Sequence, residues 1–431
     1  MLQIIELIDD AIWMYLAVPL ICFFGIYATW KTNAVQIRKA RQVGKLLIEC
    51  YQSENCDSDR GINPLHAFYI TLGGCVGIAN VVAVCSAIKL GGPGALFWMW
   101  VSALFGMLVK YSEVYLGVKY RVVNQLNSYD GGPMYYFTQV FKSNWPSTVF
   151  AILLAIYGIE VYMFKIVTDA FVINWGLSHY FVMSALLLLI LLVVSGGSKR
   201  VGEVSSYIMP AFLTIYCVMG VWVLLMHIDR IPSVLWMVVQ SAFTGKAAVG
   251  GFAGSSALMA ISQGVKRACY TGDIGVGYAG VVCAETSDAD PKKQANLTIL
   301  GIFLDTFVVC SMSVLLVLVT DVWTLGLPES EWVHQALAMH FPYMSIFMPI
   351  LIFLLGFSSL IAFFHVGIKC VNYLSPKFGR PLYYIYATVA FVGFSFVDQT
   401  EALLLMSLCG ACMLLLNMYA IIKLYHHIRF D

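Results

Sequence analysis

The sequence predicts an all-α polytopic membrane protein of eleven transmembrane helices, and three observations carry that prediction. Of its 431 residues, 60% are hydrophobic and 11% are charged, against roughly 25% charged in a soluble domain. Mean hydropathy is +0.81. Eleven segments meet or approach the ~20 mostly apolar residues that a helical span requires. If the N-terminus lies outside, the inner loops and C-terminal tail hold nineteen Lys and Arg and the outer loops only three. That asymmetry is the positive-inside pattern, so the N-terminus is expected outside and the C-terminus in the cytoplasm, in the inner (cell) membrane.

The spans lie near 11–30, 65–88, 94–118, 147–172, 180–196, 204–227, 247–268, 296–320, 343–371, 381–397 and 401–424. Segment 31–64 is a basic linker expected at the cytoplasmic surface, and 321–342 is an outer loop expected to fold as a short helical lid. The "DGGPMYY" run after the third span reads as a turn docking a segment under the core. The N-terminal MLQIIELIDD is acidic and lacks Lys and Arg, so no cleavable signal peptide is read there. The 12 cysteines show no zinc spacing, and most sit in apolar runs, where cysteine behaves as a small hydrophobe. No H-E-x-x-H, G-x-S-x-G or phosphate loop is present, which argues against an enzyme. The chain reads as one transmembrane domain with the lipid bilayer as its partner. No nucleic acid, protein partner or cofactor is expected.

Two glycine clusters break the pattern. The second span is interrupted at Gly73, Gly74 and Gly77, and the seventh at Gly250, Gly251 and Gly254. With the first span (residues 1–64 with its linker) set aside, the rest divides into two sets of five, 65–227 and 247–424, of opposite topology. The broken helix comes first in each. Paired interruptions in inverted halves point to a central binding site, because unsatisfied backbone groups are tolerated at that depth only where they line a cavity or meet a ligand.

Several motifs carry a resemblance. "GGPGALFWMWVSALFGMLVKYSEVYLGVKYR" (91–121), "GGPMYYF" (131–137), "SGGSKRVGEV" (195–204), "VGGFAG" (249–254), "QGVKRACYTGDIGVG" (263–277), "GIFLDTFVVC" (301–310) and "FSSLIAFFHVGIKCVNYL" (357–374) stand in one order along the chain. They closely resemble the alanine or glycine:cation symporter family. The resemblance implies a leucine-transporter-like inverted five-helix repeat behind one extra N-terminal helix. It also implies sodium- or proton-driven uptake of a small neutral amino acid by alternating access. The departures concern polar ligands. Where the family reads A-T-V-G-T-G-N, Cys75 and Ile78 replace the threonines, and neither Met163 nor Phe164 supplies the family's substrate glutamine. Phe363 stands for a family Trp and Ile368 for a Glu.

Carried over by the resemblance, the carbonyls of Gly73 and Val76 and the hydroxyls of Ser358 and Ser359 form the expected sodium site. Cys75, Gly77, Ile78, Asn80, Phe164, Gly251, Phe252 and Gly254 are the expected substrate contacts. Glu160, Lys165 and Asp169 in the fourth span, and Asp305 in the eighth, are candidates for a charge relay or gate, since intramembrane charges are functional by default. Lys165 has two readings, a stand-in cation or a structural partner of Asp169. Lys110 and Glu113 are expected to pair near the inner end of the third span, with their stems snorkelling. His365 reads as hydrogen-bonded packing. The alternatives are a passive channel or a sensor derived from a transporter, without coupled transport, or a symporter for a different small zwitterion.

Overall fold

Lipid offers no partner to a free N–H or C=O, so a spanning chain must close its own backbone hydrogen bonds. This chain does so with helices. The computed structural model describes residues 2–52, 60–125, 127–244, 257–396 and 399–430, and among these the sole sheet is a hairpin of β1 (Val122–Val123) and β2 (Tyr129–Asp130).

In chain order, α1 (Leu7–Lys31) is followed by the short helix α2 (Ala40–Gln52). The second span is α3 (Pro64–Cys75) and, after a bend of 55°, α4 (Ala83–Gly91). Next come the continuous α5 (Gly94–Lys119), then α6 (Trp145–Tyr157) and α7 (Val161–Trp175). The first half closes with α8 (His179–Ser195), α9 (Gly197–Met226) and α10 (Ile231–Thr244). The second half holds α11 (Ala257–Thr271), α12 (Tyr278–Ala284), α13 (Pro291–Val319) and α14 (Trp332–Ala338). It ends with α15 (Met344–Leu374), α16 (Gly379–Phe394) and α17 (Gln399–Lys423).

Among the described residues, seven helices are long and apolar enough to cross a membrane, and eight when the bent pair is counted as one span. The other three expected spans correspond to shorter helices, α8, α11 and α16, of 17, 15 and 16 residues. The outer surface suits lipid: Phe181, Leu188, Leu382, Ile385 and Val389 are all exposed.

At the centre stands α5, in contact with α1, α10, α11, α12, α13 and α17. The N-terminal helix is tied in by a polar group. Buried Asp9 meets Lys266 at 3.3 Å and accepts a hydrogen bond from Ser407 at 2.8 Å, so α1 joins α11 and α17. Outside the spans, the 321–342 segment forms short helices at 322–324, 329–331 and α14. The Pro133–Tyr136 turn of helix buries Pro133, Met134 and Tyr136 under the core.

The structure corrects one expectation: Lys266 and Arg267 lie inside α11, not in a loop. Gly250, Gly251, Phe252 and Gly254 lie outside the described residues, and the break that the structure does describe falls at Gly272–Gly277, between α11 and α12. The physical reason is conformational: Asp273, Gly275 and Gly277 adopt φ of +46°, +76° and +98°, left-handed backbone that no helix accommodates.

Candidate functional site

The first break begins where α3 ends at Cys75. Val76 leaves the helix (φ −81°, ψ 89°), Gly77 is extended (φ −123°, ψ −169°), and a single 3-10 turn, Ile78–Asn80, leads into α4. Glycine is required here by close approach. A Cβ on Gly73 would stand 2.2 Å from Ser358 Oγ, and one on Gly77 would stand 2.9 Å from both Ser359 Oγ and Met163 Cε. Bare backbone thus lies directly against two hydroxyls of α15.

Those hydroxyls are wholly buried. Ser359 Oγ donates to the Gly73 carbonyl at 2.7 Å and lies 3.2 Å from the Leu355 carbonyl. Ser358 Oγ has no hydrogen-bond partner among the described residues. A buried hydroxyl without a partner costs about 1–3 kcal/mol, so its persistence beside opened backbone points to a ligand. Gly73, Ser358 and Ser359 therefore meet, and Val76 is the first residue past the end of α3.

Asn80 is occupied on the far side of the break. Its Oδ1 accepts the Gly77 N–H at 3.1 Å, and its Nδ2 donates to Asp305 Oδ1 at 2.5 Å. Asp305 Oδ2 accepts from Thr306 at 2.8 Å and lies 3.5 Å from the Thr271 hydroxyl. Asp305 is carried on a π-helical stretch, Phe303–Cys310, a distortion common at functional sites. It links both breaks: Asn80 follows the first and Thr271 precedes the second.

The fourth span is itself opened between α6 and α7, with buried Glu160 at the junction (φ −70°, ψ 64°). One turn on, Met163 is the side chain that touches Gly77. Phe164, expected to contact substrate, points elsewhere and stacks on Phe391 of α16 with centroids 4.6 Å apart. Adjacent residues on a helix project about 100° apart, so one of the pair must face away. Lys165 is half-buried, and Asp169 lies 4.0 Å from His179 Nδ1.

The second break holds what sequence reasoning missed. Lys110 does not snorkel and does not pair with Glu113. It is 1% exposed, and its ammonium donates to the Gly272 carbonyl and to Cys75 Sγ, each at 2.6 Å. Glu113 instead accepts the N–H groups of Gly277 and Gly280, both at 3.0 Å, where α12 begins. Asp273 accepts from the Tyr157 hydroxyl at 3.4 Å through one oxygen, and the other has no partner among the described residues. Tyr278 donates to the Ile70 carbonyl at 2.8 Å and packs on Phe363, tying α12 to α3 and α15. The available signal was an intramembrane charge in α5, which is rarely idle.

A further polar cluster closes one end of the bundle. Buried Glu285, just past α12, meets His365 at 2.7 Å and Lys369 at 3.0 Å, and accepts from the Ser198 hydroxyl. Lys369 also pairs with Asp130 of β2 at 2.9 Å. The backbone joins in: Ile62 N–H donates to the Glu285 carbonyl at 2.8 Å and Ser287 N–H to the Ile62 carbonyl at 2.7 Å. Arg121 reaches the Asp288 carbonyl at 2.9 Å and the Thr286 carbonyl at 2.5 Å.

Comparison with known proteins places this architecture. The model of the sodium:alanine symporter family matches residues 1–429. The chain is 29% identical over 430 residues to the probable sodium/glutamine symporter GlnT of Bacillus subtilis (strain 168), covering 98% of this chain and 88% of that one. It is 28% identical over 403 residues to the sodium/alanine symporter AgcS of Methanococcus maripaludis, covering 91% and 88%. Among solved structures, MhsT in complex with L-phenylalanine superposes with a TM-score of 0.58 at 14% identity, over 84% of this chain and 88% of that one. A manganese transporter of Eremococcus coleocola gives 0.53 at 11% identity, over 83% and 75%. Both share the fold. With its family model matched from end to end, the chain belongs to the sodium:alanine symporter family.

Proposed function

We propose that this protein is a secondary active symporter that imports a small neutral amino acid with sodium by alternating access. The observation that carries the reading is the partnerless Ser358 hydroxyl, buried beside Ser359 and the opened backbone of Gly73 to Gly77. A sodium ion prefers hard oxygen ligands, and unwound carbonyls with nearby hydroxyls supply them. The site consists of the carbonyls of Gly73 and Val76 and the hydroxyls of Ser358 and Ser359. Cys75, Gly77, Ile78 and Met163 border the substrate position with the Asn80 amide at its edge, a largely apolar wall that suits a small uncharged side chain.

The wider frame is eleven spans. The repeats run from α3 to α9 and from α11 to α17, in inverted orientation, with a broken helix first in each and α1 outside both. The excess of basic residues puts the N-terminus outside, so the Glu285–His365–Lys369 cluster is the cytoplasmic closure.

Reconstitution in liposomes tests this. Labelled alanine, glycine and glutamine should each be offered with and without an inward sodium gradient, and with a proton gradient as the alternative. Accumulation of one of them above equilibrium, only under a sodium gradient, is expected. Uptake that merely equilibrates refutes coupling and favours a passive channel, and binding without uptake favours a sensor. Accumulation under a proton gradient alone refutes sodium as the ion.

A further inference from the structure

Lys110 is a buried cation at the breaks that neither the sodium site nor the substrate position employs. A lysine at membrane depth is expensive and ordinarily meets a carboxylate. Among the described residues, no carboxylate forms an ion pair with this one. The nearby acids are held by other groups: Glu113 by the amides of Gly277 and Gly280, Asp305 by Asn80 and Thr306, and Asp273 by Tyr157.

What the ammonium does meet is the ends of two half-helices. Cys75 is the last residue of α3 and Gly272 the first beyond α11, and Nζ lies 2.6 Å from the sulfur of one and the carbonyl oxygen of the other. The carbonyl end of a helix carries roughly half a negative charge, so two such ends converge on a single positive group. Half-helix C-termini and unwound carbonyls are the elements with which broken-helix transporters hold a coupling cation. Here the position between them is filled from the chain itself.

We infer that Lys110 is a tethered cation occupying a second cation position where the two helix breaks meet, so that one free cation, not two, accompanies each substrate. The inference rests on the coupled-symport reading and supplies its stoichiometry. The tethered charge holds α3 and α11 together through Cys75 and Gly272. It cannot be released with the substrate, because it remains attached to α5 when the half-helices separate.

Two variants of the purified full chain test this by thermal unfolding, a binding readout that needs no transport. Lys110→Met keeps the stem and removes only the ammonium. Lys110→Ala removes the atoms of n-propylammonium, which is therefore the probe. Wild-type protein should be stabilised by sodium along a one-site curve with a Hill coefficient of about 1. Lys110→Met should titrate cooperatively or shift its sodium midpoint at least about tenfold upward, having a second position to fill. Lys110→Ala should gain a saturable rise in melting temperature from n-propylammonium that wild type lacks. A Lys110→Met titration unchanged in midpoint and slope, with Lys110→Ala indifferent to n-propylammonium, overturns the inference. Purification of either variant only in the presence of an added cation supports it, and failure of both under every cation shows a purely structural lysine and overturns it. If wild type proves unable to accumulate substrate, the symport reading fails while the n-propylammonium result still decides whether the cation position exists.

Discussion

Replacing Ser358 and Ser359 singly by alanine separates a hydrogen bond from an ion ligand. Ser359 Oγ donates 2.7 Å to the Gly73 carbonyl, and losing a neutral bond of that kind costs about 0.5–1.5 kcal/mol. Ser358 Oγ is buried with no partner among the described residues, so removing it in the absence of sodium costs nothing and relieves a desolvation penalty of about 1–3 kcal/mol. Sodium adds a loss to both. A hydroxyl facing a charge is worth roughly 1.5–3 kcal/mol, so either alanine should weaken sodium at least about tenfold, at 1.4 kcal/mol per decade. A ligand at one hundred times its dissociation constant stabilises the fold by about 2.7 kcal/mol, and a tenfold weaker site at the same concentration by about 1.4. Thermal unfolding in sodium chloride against choline chloride at equal ionic strength reads both effects. Ser359→Ala should lose stability in both salts and Ser358→Ala only in sodium. If both single variants keep the whole sodium-dependent shift, the ion is held elsewhere.

Three further outcomes follow from the packing. Glu285→Gln leaves buried His365 without its carboxylate and Lys369 with Asp130 alone, and breaking such a buried pair costs roughly 3–5 kcal/mol; a melting temperature within error of wild type would show that the cluster adds nothing to the fold. Gly77→Ala drives a Cβ to 2.9 Å from Met163 Cε and Ser359 Oγ, an overpacking of about 1–3 kcal/mol that Met163→Ala should partly relieve, whereas strictly additive losses would mean the two residues do not touch. In the segment after α13, the Lys89 hydrogen bond holds the Glu329 carboxyl below its ordinary range. A lowered folded-state pKa adds stability above the unfolded value and loses it as pH falls through the folded one. The exposed pair is worth about 0.2–1 kcal/mol, and Glu329→Gln should remove that acid-side slope in melting scans from pH 7 downward.

Much of the fold was written in hydropathy, and one of the two breaks in glycine. The run Gly73–Gly74–Gly77 sits in an otherwise apolar span, where only a special backbone explains it. The break at Gly272 to Gly277 is hard to read from sequence because the residues around it include an acid and look like the loop after a span. The unusual φ values of Asp273, Gly275 and Gly277 leave no mark on a hydropathy profile. Lys110 was misread because burial depends on partners far along the chain: Cys75 is 35 residues away and Gly272 is 162. The choice between Met163 and Phe164 turned on helix rotation, which spacing alone does not fix. His365 was read as hydrogen-bonded packing, and it bonds to Glu285.

The pairing of Ile62 with the backbone of residues 285–287 has a mechanical consequence. Ile62 stands just ahead of α3 and Glu285 just behind α12, so the near ends of both broken helices are stitched by two main-chain bonds. Neither half-helix can swing alone without tearing that stitch, and only proline, which lacks the N–H, deletes either bond by substitution. The two half-helices α3 and α12 therefore behave as a single latch: that end of the bundle opens in one step, with both breaks yielding together.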